Sequence, residues 1–99
     1  MAALNEGLIR FFQKQHYTVI TTIDEKGFPH NSCKGIVNID PGGKAYLLDL
    51  YKGKTYSNLQ NNENISVTAV DEHKFIGYSL KGKARIVERG KVEGRIVKL

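Results

Sequence analysis

The sequence of 99 residues predicts a mainly β protein, a small antiparallel barrel with an N-terminal helix and one short connecting helix. Short runs rich in β-branched residues alternate in polarity, and turn residues such as Gly, Pro and Asp close each run. Only the N-terminal stretch repeats its apolar residues at helical spacing over several turns. Many strands with short connections and few helices favour closure into a small barrel. With 40% hydrophobic residues the chain is globular, and its length suits a single domain, expected to span residues 1–99.

The elements follow in order. Leu4, Leu8 and Phe12, with Ile9 and Phe11 beside them, predict a helix from about residue 4 to 15 that lays one apolar stripe on the rest. Tyr17 to Asp24 reads as a strand, with Tyr17, Val19, Thr21 and Ile23 on one face and Thr18, Ile20 and Thr22 on the other. Asp24-Glu25-Lys26-Gly27 is a turn, Pro29 opens a strand that runs through Asn31 to Ile39, and Asp40-Pro41-Gly42-Gly43 is the next loop. Strands are then expected at Ala45 to Leu50, Ile65 to Val70 and Phe75 to Glu88, with Ile76, Tyr78, Leu80, Ala84 and Ile86 lining the interior. Val92, Ile96 and Leu99 keep helical spacing, which predicts that the sequence ends inside a helix.

Composition excludes several classes of function. No apolar run approaches the roughly 20 residues needed to span a bilayer, and the opening MAALNEGLIRFF lacks the basic start and apolar region of a secretory signal. A soluble, cytoplasmic protein is expected. Cys33 is the only cysteine, so no internal disulfide forms, and His16, His30 and His73 are too scattered to suggest a metal site. The net charge of +5 lies in residues 81–98, where seven basic residues face two acidic ones. Such a stripe could track a nucleic-acid backbone. Its alternation with Leu80, Gly82, Ala84 and Ile86 fits the solvated side of a half-buried strand better. Phe75, Tyr78, Tyr46 and Tyr51 do not form the stacking platform of an oligonucleotide barrel.

Residues 45–59, AYLLDLYKGKTYSNL, carry the clearest chemical signal. An apolar strand runs into Lys52, Gly53, Lys54 and Thr55, after which a short helix is predicted. The first N–H groups of a helix have no intrahelical acceptor, and the helix dipole favours an anion there. Thr55 is the expected cap, Lys54 adds a point charge, and Gly53 lets a ligand come close to the backbone. Gly53-Lys54-Thr55 imitates the end of a nucleotide-binding P-loop, but Leu48 stands where that loop needs its first glycine, which excludes an NTPase. A solvated turn with two lysines is the alternative.

The order of these motifs is similar to that of a known family. The N-terminal helix, YTVITTID, EKGFPHNS, IVNIDPGGKAYLLD, KGKTYSNLQNNENISVTAVD and YSLKGKARIV together resemble the pyridoxamine 5'-phosphate oxidase-like, FMN-binding split β-barrel family. The resemblance covers roughly residues 4 to 88 and rests on the series more than on any one motif. It implies flavin mononucleotide, FMN, held at the interface of a homodimer, and a flavin-dependent oxidoreductase of unknown substrate. By the same resemblance Ser32, Cys33, Lys34 and Gly35 meet the ribityl and phosphate groups, Leu47 and Leu48 lie beside the isoalloxazine ring, and Lys54 with Thr55 binds the phosphate.

Departures from the family pattern are informative. Many members place an arginine three to five residues after the proline, where this chain has Ser32, Cys33 and Lys34, so the phosphate charge falls to Lys34 or Lys54. True pyridoxamine 5'-phosphate oxidases bind substrate through basic residues near a longer C-terminus, which argues against that reaction here. The family usually continues with a helix and often another strand, so a C-terminally shortened chain is expected, with part of the flavin pocket absent. No pair of groups reads as a general acid and base. Tyr17, His30 and His73 are candidates by residue type alone. Two other classes stay open: a basic barrel that binds nucleic acid or a protein partner without a cofactor, and a member of the same fold that holds no flavin.

Overall fold

The computed structural model describes residues 5–39, 41–47, 53–89 and 92–98. Two helices and seven strands follow one another as α1 (Glu6–Lys14), β1 (Thr18–Ile23), β2 (Pro29–Lys34), β3 (Ile36–Ile39), β4 (Ala45–Leu47), α2 (Lys54–Asn61), β5 (Asn64–Asp71), β6 (Ile76–Arg89) and β7 (Val92–Lys98). The strands form one antiparallel sheet in the order β2-β1-β5-β6-β7-β4-β3.

That order explains the barrel. β2 and β3 are the two ends of the sheet, yet only Gly35 separates Lys34 from Ile36. Opposite edges joined by one residue oblige the sheet to curl until they meet. Along the meeting line the described residues show no ladder between β2 and β3, so the barrel is split there. The sequence reading of one strand from Asn31 to Ile39 is corrected accordingly: Gly35 breaks it into halves that pair with β1 and β4 respectively.

The interior forms as the alternation predicts for β1, whose Thr18, Ile20 and Thr22 are buried. Ile65, Val67 and Ala69 of β5 join them with Ile39, Ala45 and Ala84. Asn5 caps α1 by accepting the Leu8 amide at 2.7 Å, and Ile9 and Phe12 close one side of the core, with Leu8 and Phe11 packed beside them. α2 buries Thr55, Asn58 and Leu59, the i, i+3, i+4 set of one helix face. Asn58 is 3% exposed, and its amide donates to the Thr22 hydroxyl at 3.0 Å, which fixes α2 against β1.

Two expectations for the second half of the chain are corrected. Residues 92–98 form β7, paired with both β6 and β4, rather than a helix. Gly94 and the β-branched Val92, Ile96 and Val97 are poor helix formers, and two neighbouring strands offer them ladder partners. Ile76 and Tyr78 do not line the interior; they are 43% and 48% exposed where the β5–β6 hairpin outruns the barrel, although Ala84 further along is buried. Tyr78 packs edge-on against Phe11 of α1, with ring centroids 4.9 Å apart.

The tip of that hairpin holds Phe75 at φ 55, in the left-handed region, with its side chain 90% exposed. Such a conformation costs a bulky residue about 1 kcal/mol, and a ring this exposed gains little from burial in return. Phe75→Asn is therefore expected to stabilise the fold by about 0.5–1 kcal/mol in urea unfolding, since asparagine tolerates this region. A lower midpoint would mean that the ring is covered in solution.

Candidate functional site

β2 is an edge strand whose side chains alternate between two environments. His30, Ser32 and Lys34 are half-buried on the face shared with α2, whereas Asn31 and Cys33 stand exposed on the other. The register with β1 sets Ser32 opposite Ile20, so its hydroxyl lies above the core and under the start of α2.

There the Ser32 Oγ and the Thr55 Oγ1 are 2.8 Å apart. Thr55 is 6% exposed and is the second residue of the helix, not its cap; the capping position belongs to Gly53, with no side-chain capping bond. The expected cap is thus corrected. Burial of Thr55 against β2 leaves its hydroxyl to Ser32, and helix closure begins with the Ser57 amide donating to the Gly53 carbonyl at 3.2 Å. The amides of Lys54 and Thr55 precede that bond and have no intrahelical acceptor. In a pair of hydroxyls one hydrogen is shared and the other is left to donate elsewhere. Two helix amides, one hydroxyl hydrogen and a lysine on the same turn make a donor set that suits an anion. A Cβ added at Gly53 would meet nothing within 4 Å, so the approach is open, as the sequence suggested.

Lys54 lies at this helix start, and its ammonium is turned onto Glu25 of the β1–β2 turn, with Nζ 3.1 and 3.3 Å from the two carboxylate oxygens. The turn is well built. Asp24 Oδ1 accepts the amides of Lys26 and Phe28, each at 2.9 Å, and Gly27 takes φ 86, which glycine adopts without penalty. The Phe28 amide above all, with the Lys26 amide and the positive Lys54 helping, holds the Asp24 carboxyl below its ordinary value. A depressed folded value means that this support is present above the ordinary carboxylate range and is lost as pH falls through the lowered one.

The structure therefore brings Ser32, Thr55 and Lys54 together, with Lys34 on the same face of β2 and its carbonyl taking a hydrogen bond from the Thr18 hydroxyl at 3.0 Å. It sets the Cys33 side chain on the opposite face, and Gly35 is the junction between β2 and β3. Leu47 ends β4, and Leu48 lies outside the described residues. Glu25 was missed in the sequence, because nothing local ties a turn acid to a lysine 29 positions away. His30 is half-buried two positions from Ser32 on the same face of β2, whereas Tyr17, just before β1, and His73, in the β5–β6 turn, are exposed. Among the described residues no group of His, Cys, Asp and Glu could hold a metal, and no helix is long and apolar enough to cross a membrane.

Two concavities lie elsewhere among the described residues. One of about 620 Å³ runs between α1 and the start of β6, and another of about 470 Å³ crosses β1, β5 and β6. Neither includes Ser32, Lys54 or Thr55.

Comparison with known proteins gives the family. HupZ of Group A Streptococcus is similar at 22% identity over 94% of this chain and 87% of that one, with a TM-score of 0.83. A putative pyridoxamine 5'-phosphate oxidase of Lactobacillus delbrueckii is 18% identical over 96% of this chain and 94% of that one, with a TM-score of 0.76. A Clostridium acetobutylicum protein related to general stress protein 26, of the pyridoxinephosphate oxidase family, is 21% identical over 87% of this chain and 63% of that one, with a TM-score of 0.73. At these identities the likeness speaks for the fold. No curated protein matches. The family model for pyridoxamine 5'-phosphate oxidase matches residues 4–98, nearly the whole chain, and the chain accordingly belongs to the pyridoxamine 5'-phosphate oxidase family.

Proposed function

We propose that the chain binds FMN as a cytoplasmic homodimer and serves as a flavin-dependent oxidoreductase. The observation that carries this reading is the Ser32–Thr55 hydroxyl pair at the start of α2 beside Lys54, a donor set that fits a phosphate monoester. Lys34 adds a second cation from the same face of β2, while Cys33 and Gly35 offer main-chain groups only. Leu47 and Leu48 would flank the ring. FMN, when bound, supplies the electron chemistry; the chain holds and orients it and shapes the electrostatics around it.

The second subunit is part of the proposal. Ligand sites are concave and bury most of the ligand, and a tricyclic ring asks for more concavity than a barrel of this size offers alone. Light scattering of the purified protein is expected to give twice the chain mass, and titration with FMN to quench flavin fluorescence at one FMN per chain. A protein that stays monomeric at micromolar concentration and leaves flavin fluorescence unchanged would refute the proposal.

A further inference from the structure

The ion pair at the donor set points to a residue that grades ligands by their charge. We propose that Glu25 is a specificity-determining residue: its carboxylate is the resident counter-anion of Lys54 and opposes a doubly charged phosphate at the start of α2. This inference rests on the phosphate site proposed above.

Geometry supplies the reason. Both carboxylate oxygens of Glu25 lie within 3.3 Å of the Lys54 nitrogen, so the ammonium faces the acid squarely. A phosphate oxygen bound to that nitrogen would sit about 2.8 Å from it, and therefore at most about 6 Å from the Glu25 carboxylate. The backbone that carries Glu25 stays near Lys54, because the turn is closed by four hydrogen bonds: Asp24 accepts from the amides of Lys26, Phe28 and Gly27, and the Asp24 amide donates to the Phe28 carbonyl. A phosphate dianion must thus share Lys54 with a like charge. A ligand without phosphate makes no such demand.

The opposite role is conceivable on the same distances, with Glu25 holding Lys54 in place for the ligand. The two differ in sign. A pair that is 42% and 63% exposed holds its lysine only weakly, so pre-positioning by Glu25 contributes little, whereas repulsion of the phosphate acts on every ligand oxygen near it. The counter-anion role dominates.

The test is a fluorescence titration of FMN and of riboflavin with the parent chain, Glu25→Gln, Glu25→Ala and Lys54→Ala. Both Glu25 variants are expected to bind FMN about fivefold more tightly than the parent, with the gain shrinking at high salt, and to bind riboflavin as the parent does. Two variants guard against an effect of the new side chain, and Glu25 is exposed, so the fold should tolerate both. If FMN binds equally well or more weakly to the Glu25 variants while Lys54→Ala still weakens it, the counter-anion role is wrong and the phosphate site stands. If the parent binds FMN no better than riboflavin and Lys54→Ala changes nothing, the site and the inference fall together.

Discussion

Replacing Phe12 with alanine is expected to cost about 3–5 kcal/mol of folding stability, the largest effect of any single truncation considered for this chain. Phe12 is 1% exposed and is the bulkiest of the fully buried side chains among the described residues. It reaches from α1 into the core, beside Ile9 and under Phe11, whose ring meets it edge-on at 6.2 Å. Alanine would leave a cavity that neither the helix nor the sheet can readily collapse into, because α1 is only nine residues long and the other residues of the core are held by their strands. Domains of this size have roughly 5–15 kcal/mol in hand, so the loss is a large share of the total. Urea unfolding followed by circular dichroism measures it. A loss under about 1 kcal/mol would mean that α1 is not seated on the barrel as described.

The second large effect concerns binding. Lys54→Ala is expected to weaken FMN about tenfold or more and to leave riboflavin unchanged, because the proposed site sets the lysine against the phosphate alone. A charge-assisted hydrogen bond is worth about 1.5–3 kcal/mol, which corresponds to that factor. Stability should barely move, since the pair with Glu25 is exposed and such pairs contribute little. Fluorescence titration of the two flavins separates the cases: equal losses for both would place Lys54 away from the phosphate, and no loss for either would leave the donor set a solvated turn.

How much of this was legible in the sequence depends on how local each cause is. β1 was readable to its faces because alternation of Thr18, Ile20 and Thr22 against Val19, Thr21 and Ile23 is a property of neighbouring residues. The break at Gly35 was not, since β2 and β3 look continuous until one asks which strands they pair with. β7 was misread for a related reason. Val92 and Ile96 are four apart, which suits a helix turn, but the vacant edges of β4 and β6 decide the matter and lie far off in the chain. Ile76 and Tyr78 alternate as interior residues do, and only the overshoot of the hairpin leaves them exposed.

For the site, the helix start and Lys54 carried their own signal, through the glycine and lysine ahead of a helical run. Ser32 did not. Its role comes from a hydroxyl 23 positions later, and only the family resemblance singled it out. Strand alternation sends the side chains of Ser32 and Cys33 to opposite faces of β2.

The position of β7 between β6 and β4 also fixes when the molecule can be finished. Among the described residues its ladders link the β2-β1-β5-β6 half to the β4-β3 half, and it is translated after the six other strands. During synthesis the larger half can zip through β1, β5 and β6, while the β3–β4 hairpin is tied to it by the chain alone, at Gly35 before β3 and through residues 48–53 after β4, with α1 to lean on. A two-stranded hairpin alone is marginal in water. The pairing of Ala45 with Ile96 joins residues far apart in the sequence, as does that of Val19 with Thr68. Until β7 is in place, β4 and β6 each present an open edge that invites pairing with other chains.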